Sequence, residues 1–408
     1  VFMQINAHAI FFQASGNSDF LHRLNLSDAE QARLRDARDT IRDHLQKAFR
    51  EWESWLGREL LFAATTQNWL KAPALRPRFR QQGSLTYHTA NRPAWTPPQE
   101  VDLDDGLFLP TEMLGEAGQS EPAVLTGGLF EIVGNALTSL CRQKDWGLKA
   151  KDTCVRVSLN HGSAAHIDVP IYAIPEKQYR EIHESMAALK RDFSAQNADE
   201  IALAEEAYRQ LASGEIMLAH REQGWIRSDP RKLEDWFQDA VTRHGQQVRR
   251  VCRYLKAWRD HCWKEGGPSS IALMACVVSV YDANPHRFEA NRDDEALLFV
   301  ASKLASLFSN PIGNPAVSGL NLDDGWDEKG LREGFVQDAR DFYASLHSAL
   351  IAGTHPQQVL SGLKLAFGER IPDEPGLVVF PAASPEELLE STAALAPTVK
   401  PQDKRSYA

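Results

Sequence analysis

Apolar residues at Leu34, Ala37, Ile41, Leu45, Ala48, Phe49 and Trp52 recur at three- and four-residue intervals, which puts them on one stripe of a helix. Ser27, with Glu30 three residues later, makes a capping box ahead of that stripe. The pattern predicts one long amphipathic helix from Leu26 to Asn68, and Pro73 and Pro77 stop any continuation. From Phe79 to Pro110, glycine and prolines precede the alternation Val101-Asp102-Leu103-Asp104, which reads as a loop and then a strand. Leu125 to Arg142 reads as helix. Cys154 to Leu159 and His166 to Ile171 read as strands, with Asn160-His161-Gly162 as the turn between them.

Beyond about Tyr179 the periodicity is mostly helical. Lys177 to Ala212 is polar and alanine-rich, a connecting helix or an insertion, and Leu233 to Trp263 is strongly amphipathic. Gly266-Gly267-Pro268-Ser269-Ser270 breaks the pattern before a more apolar helix that runs to about Val280. Ser309 to Asp327 is rich in Gly, Pro and Asn and reads as a loop, with helices resuming at Gly330–Ala352 and Pro356–Gly368. From about Ala383 the composition turns to proline and alanine, which predicts a flexible tail ending at Ala408. The expectation is a mixed α/β N-terminal part followed by a helical C-terminal part, with a ligand cleft between them.

Composition narrows the class. The 408 residues suffice for two domains, and no apolar run approaches the roughly 20 residues that cross a bilayer. The first 20 residues lack a basic region and a cleavage pattern, so neither a secretion signal nor a membrane is expected. The five cysteines form no CxxC pair, which fits reduced thiols in a cytoplasm rather than disulfides or zinc. A net charge of −10 argues against nucleic acid as a main partner. Two basic islands stand out, Arg76/Arg78/Arg80 and Arg249/Arg250/Arg253/Lys256/Arg259. Each is read either as a solvated face or as a seat for a small polyphosphate.

Residues two apart on a strand share a face, so Asp102 and Asp104 project together. Paired carboxylates repel unless a counter-charge joins them, and Mg²⁺ accepts such hard oxygen ligands beside substrate phosphates. Asp168 lies in an apolar strand, where an unpaired acid is costly, and would complete a two-metal site. Gly83-Ser84, at a turn into a helix, would offer N–H groups and a hydroxyl to a triphosphate. Alone, a DxD is most often a pair of solvated acids. A calcium loop fails on spacing, because Leu107 and Met113 occupy the positions that need glycine and glutamate.

Gly-Ser, then DxD, then a distant strand acid is the order found in polymerase-β-like nucleotidyltransferases. The runs Gln82-Gly83-Ser84-Leu85-Thr86-Tyr87, Val101-Asp102-Leu103-Asp104-Asp105-Gly106 and His166-Ile167-Asp168-Val169-Pro170 resemble the bacterial cGAS/DncV-like nucleotidyltransferases. So do Trp225-Ile226-Arg227-Ser228-Asp229-Pro230, Lys256-Ala257-Trp258-Arg259-Asp260 and Gly266-Gly267-Pro268-Ser269-Ser270.

The resemblance implies an α+β fold, with a polymerase-β-like nucleotidyltransferase core and spine helix over 1–215. It implies a helical domain over 216–382 that completes the NTP cleft, and a tail over 383–408. It implies Asp102, Asp104 and Asp168 as ligands of two Mg²⁺ ions (Mn²⁺ able to substitute), with Asp168 also helping deprotonate the acceptor hydroxyl. Gln82, Gly83, Ser84, Lys256, Ser269 and Ser270 would hold the donor triphosphate, and Tyr87, Arg156, Ser228 and Asp229 would surround bases and acceptor. Without the resemblance, Ser269-Ser270 reads as a helix N-cap and Arg156 as a half-exposed edge residue. The implied activity is synthesis of 3′,3′-cyclic GMP–AMP from ATP and GTP in antiphage signalling; the alternatives are another cyclic di- or trinucleotide or linear oligoadenylate from the same fold, or a catalytically silent nucleotide-binding regulator. The tail ending at Ala408 is read either as the target of a ubiquitin-transfer-like ligase or as a simply disordered end. Arg38 and Arg42 match a folate-type regulatory pocket of some relatives, whereas Arg80 and Phe108 depart from it.

Overall fold

The protein is described here by a computed structural model covering residues 5–13, 18–66, 76–110, 122–159, 164–174, 216–228 and 230–381. The expected turn at 160–162, the segment 177–212 and the tail from 383 lie outside these residues.

The long N-terminal stripe folds as helix α1, Asp28–Arg50. The capping box is present: Glu30 N donates to Ser27 Oγ at 3.3 Å, and Ser27 N donates to the Glu30 carboxylate at 2.7 Å. The helix stops sooner than the periodicity predicts. A 3₁₀ turn at Trp52–Trp55 follows, and a separate α2 spans Arg58–Thr66. In the break, Gly57 N donates to Glu131 Oε1 at 2.6 Å, so a helix-to-helix contact replaces a local bond there.

The sheet contains β1 (Arg78–Gln82), β2 (Val101–Pro110), β3 (Gly147–Ala150), β4 (Cys154–Leu159) and β5 (Ala165–Ile174), in the order β1-β2-β5-β4-β3. β2 and β5 run parallel, and the other pairs are antiparallel. A hairpin of β6 (Met217–His220) and β7 (Gly224–Arg227) extends from the far end of β5. Part of the expected loop is therefore strand β1. The strands β3, β6 and β7 were not anticipated, being four residues each and too short for an alternation to register.

α1 and helix α4 (Pro122–Lys144) cover one face of the sheet. Ile41, Leu45, Phe130, Val133 and Leu137 pack there with Leu103, Leu107, Val157 and Ile167. Asp102 and Asp104 of β2 and His166 and Asp168 of β5 are thereby left on the opposite face, while Asp105 stays under α1, bonded to Arg42.

That face meets a bundle formed by α5 (Pro230–His244), α6 (Gln246–Cys262), α7 (Ser270–Ala283), α8 (Asp293–Phe308), α10 (Arg332–Leu350) and α11 (Pro356–Phe367). The single helix expected over Leu233–Trp263 is two, because Gly245 sits at φ +82° between α5 and α6. α8 was not expected, and a short helix α9 (Asp324–Glu328) interrupts the predicted loop. The bundle core centres on Trp258, stacked on Phe342 with ring centroids 4.5 Å apart.

The first described residues belong to this second core. Phe11 and Phe20 pack against Tyr254 and Phe367. Ala7 N donates to the buried Asp294 carboxylate at 2.8 Å, and Asn6 and Val379 exchange two main-chain hydrogen bonds of 2.8 Å. No helix among the described residues is long and apolar enough to cross a membrane. Cys141, Cys154, Cys252 and Cys276 are buried free thiols, and Cys262 is exposed.

Candidate active site

Strand register assembles the acids. Gln82 is paired with Asp104, Asp104 with Asp168, and Asp168 with Arg156, so one row crosses β1, β2, β5 and β4. Two residues back along β2, Asp102 is paired with His166. Because β2 and β5 are parallel neighbours, roughly 4.8 Å apart, three carboxylates converge on one face.

Each acid has a different environment. Asp168 is buried and receives a two-pronged hydrogen bond from Arg156, Nε to Oδ1 at 2.7 Å and Nη2 to Oδ2 at 2.6 Å. Arg156 is thus no edge residue; β3 flanks its strand and its guanidinium covers the third acid. Asp102 is the exposed member, with His166 Nε2 2.9 Å from its Oδ1. On the other side of that ring, Nδ1 lies 2.7 Å from Glu100 Oε2. Burial opposes charge on His166, but Asp102 and Glu100 outweigh it and hold the imidazole above its ordinary pKa. Asp104 has no such cation of its own. Burial first, then the charges of Asp102 and Asp168, push its carboxyl up to about 7.

These donors suit a divalent ion. Ligand atoms of Asp102, His166 and Asp168 lie within 4.8 Å of one another, and a cation here would offset both the burial and the neighbouring carboxylate charges that raise the Asp104 pKa.

Gly83 opens the four-residue helix α3, Gly83–Thr86, at φ +71°. A Cβ at this position would stand 2.1 Å from Asp104 Oδ2, so both backbone angle and space restrict it to glycine. Ser84 and Tyr87 follow along the cleft wall. Tyr87 packs edge-on against Phe237, and burial, with Glu234 and Asp104 nearby, raises its hydroxyl pKa.

The facing wall is α6. Its basic island is not a solvated face. Arg249 Nε donates to Tyr87 O at 3.0 Å, Arg253 Nε to Asn91 Oδ1 at 2.9 Å and Lys256 Nζ to Thr89 O at 2.7 Å. Arg250 is forked onto buried Asp293, and Arg259 holds Asp260 and reaches Ser270 Oγ at 2.9 Å. Burial lowers the Lys256 pKa to about 8. In the first island, Arg80 is buried and paired with Glu234 at 2.7 Å.

Between the walls lies a cleft of about 700 Å³, lined by Gly83, Ser84, Tyr87, Asp102, Asp104, Arg156, Lys256, Ser269 and Ser270 among others. Ser269 is also the N-cap of α7, its Oγ accepting from Ala272 N at 3.2 Å. Asp168 stands just behind Arg156. Gln82 is buried, its Oε1 accepting from the Tyr172 hydroxyl at 3.1 Å, and its side chain does not line the cleft. Ser228 is at the end of β7, away from the lining, and Asp229 is outside the described residues. His166 and Glu100 were not anticipated. The signal was available, since His166 shares a strand face with Asp168 two residues on.

The family model described as "Cyclic GMP-AMP synthase DncV-like, nucleotidyltransferase domain" matches residues 77–172. That of "Cyclic GMP-AMP synthase, C-terminal domain" matches 245–379. A cyclic GMP–AMP synthase of Vibrio cholerae serotype O1 is 34% identical over 340 residues, covering 79% of this chain and 74% of its own. One of Escherichia coli strain TW11681 is 31% identical over 400 residues, covering 88% and 90%. The crystal structure of Vibrio cholerae DncV with the linear intermediate pppA(3′,5′)pG superposes with a TM-score of 0.76 at 28% identity, over 94% of this chain and 100% of that one. A DncV variant in complex with ATP and GTP, among other ligands, gives 0.76 at 29% identity over 93% and 100%. The chain belongs to the bacterial DncV-like nucleotidyltransferases, an enzyme family of cyclic dinucleotide synthases.

Proposed function

We propose that the enzyme condenses ATP and GTP into 3′,3′-cyclic GMP–AMP in the cleft between sheet and bundle. The observation that carries this reading is the row Asp104–Asp168–Arg156, with Asp102 beside it and Lys256 facing it across a nucleotide-sized gap. In the first transfer a ribose 3′-hydroxyl oxygen bonds to the α-phosphorus of the other NTP, in the second to that of the linear dinucleotide's own 5′-triphosphate, and each time the bond to pyrophosphate breaks. The hydroxyl proton passes to Asp168. Asp102, Asp104 and Asp168 would hold two Mg²⁺ ions, or Mn²⁺, which when bound supply charge neutralisation at the attacking and leaving oxygens. Gly83 and Ser84 bring N–H groups and a hydroxyl to the donor triphosphate, while Lys256 and Ser270 approach it from the bundle. Tyr87 and Arg156 border the acceptor. The remaining chemistry is positioning.

Incubating the protein with labelled ATP, GTP and Mg²⁺, followed by mass spectrometry, tests the proposal. The expected product is cyclic GMP–AMP with two pyrophosphates released, and a protein that releases none would sink it. The reading extends, on family resemblance alone, to antiphage signalling in the cytoplasm and conjugation of Ala408 by a ubiquitin-transfer-like ligase. It also places the division between core and helical domain near residue 215.

A further inference from the structure

Besides His166, the cationic side chains lining the cleft are Arg156, Lys256, Arg259 and Lys264. The acids of the same lining are Glu100, Asp102, Asp104 and Asp260, and a triphosphate adds several negative charges to theirs. Three of the four cations are already committed. Arg156 is forked onto Asp168. Arg259 holds one oxygen of Asp260, from Nε at 2.9 Å and from Nη2 at 2.6 Å. Lys256 is buried and donates to Thr89 O, and burial makes it hold its proton less tightly than an ordinary lysine.

Lys264 is different. It is exposed and, among the described residues, no carboxylate bonds it; its ammonium rests 4.8 Å from the centroid of the Trp95 ring. Such a contact at an exposed site is worth only about 0.5–1 kcal/mol, so a phosphate group can draw the ammonium away.

The ring beneath it is built into the wall. Trp95 stacks on His261, with centroids 5.9 Å apart, and its Nε1 donates to His261 O at 3.0 Å. Gln99 ties the same turn down. Its Oε1 accepts from Ala94 N at 3.0 Å and Trp95 N at 3.1 Å, and its Nε2 donates to Asp260 O at 2.7 Å and Trp263 O at 2.8 Å. Both ends of this amide are thus used to join residues 94–99 to the C-terminal end of α6, directly before Lys264. Gln99 runs on into Glu100 and Asp102, and Lys264 into the turn Gly266–Ser270, so this corner of the cleft adjoins both the acids and the two serines.

We propose that Lys264 binds the terminal phosphates of the donor nucleotide and then the departing pyrophosphate, and that Trp95 is a positioning residue that keeps the ammonium at the cleft before substrate arrives. The proposal rests on the reading of the cleft as a triphosphate site. Lys264 forms an ion pair only; no bond to it is made or broken. A compact charge on a flexible stem can follow the leaving group, which a committed guanidinium cannot.

Calorimetric titration of the full-length protein in Mg²⁺, with the α,β-methylene analogues of ATP and GTP and with AMP and GMP, tests this. K264M should weaken at least one triphosphate analogue about fivefold or more and leave the monophosphates within about twofold, and K264R should recover most of the loss. K303M is the control, because Lys303 is also exposed and rests 5.2 Å from the Phe299 centroid but does not line the cleft. It should change nothing. W95L should weaken the analogue in the parent and add no further loss in the K264M background, an outcome that general damage to the fold would not give. Triphosphate affinity in K264M within about twofold of the parent, or an equal loss for monophosphates, overturns the role of Lys264. A W95L loss that persists in K264M overturns that of Trp95. These titrations need no product synthesis, so a parent that binds the analogues but releases no pyrophosphate counts against the proposed reaction alone. A parent that binds neither analogue overturns both.

Discussion

At the residue scale, Gly83 and Asp104 constrain each other. G83A should lower turnover by more than about a hundredfold and also lower the thermal unfolding temperature modestly, because the added methyl displaces the Asp104 carboxylate and alanine at this positive φ costs about 1–2 kcal/mol. A steady-state assay beside a melting curve checks it, and near-normal turnover would show that Asp104 can move freely. Asp104 also carries a pH signature. Its carboxyl titrates near 7 in the folded protein and near 4 when unfolded, so the native state keeps a proton that the unfolded chain loses between those values. That contribution to stability is full below about pH 4 and disappears as pH rises to about 7. D104N should therefore gain stability over the parent across this window, on the order of 1–3 kcal/mol by pH 8 in metal-free chemical denaturation. Mn²⁺ binding to the parent should tighten as the same proton leaves. His166 acts through Asp102. H166A should cut turnover about 10–100-fold and weaken Mn²⁺ binding in parallel, with the KM for ATP little changed. A rise in KM alone would assign His166 to nucleotide contact instead.

At the scale of elements, α6 is the strut that sets the width of the cleft. Arg249, Arg253 and Lys256, spaced four and three residues apart, hold Tyr87, Asn91 and Thr89 of the opposing turn. K256M removes one tie and the positive charge together. It should raise the KM for NTP about tenfold or more, with a smaller change in kcat, measured at saturating metal. K256R should recover part of the loss. Periodicity made α1, α6 and α7 legible, because each buries a long apolar stripe. It failed where a tertiary contact overrode the local pattern: at Gly57, whose N–H is taken by Glu131, and at Gly245, whose positive φ splits an otherwise continuous stripe. β1 was unreadable for another reason. Arg78-Phe79-Arg80-Gln81-Gln82 holds a single apolar residue, and its strand identity comes from pairing with β2. The three acids were legible from spacing and order. Their pairings were less so: His166 could be read from the strand face it shares with Asp168, whereas the Arg156 fork on Asp168 comes only through sheet register.

At the scale of the molecule, two cores meet across a polar joint, and the helical core draws on both ends of the described chain. Phe11 is fully buried among Phe20, Tyr254 and Phe367. F11A should destabilise the protein by about 3–5 kcal/mol, seen as a lower denaturant midpoint for the bundle. Because the sheet has its own core, its unfolding should move much less, so the two transitions should separate. A shift of both together would mean that the joint makes them one cooperative unit.

The two hydrogen bonds between Asn6 and Val379 bear on how the chain is made. They join positions at opposite ends of the described chain into one seam. On a ribosome, Phe11 would emerge well before α6 and α11, which carry the Tyr254 and Phe367 rings that seat it. The sheet can close on itself in the meantime. Nucleotide chemistry would then begin only after translation had passed the last helix, which keeps an unfinished nascent chain silent.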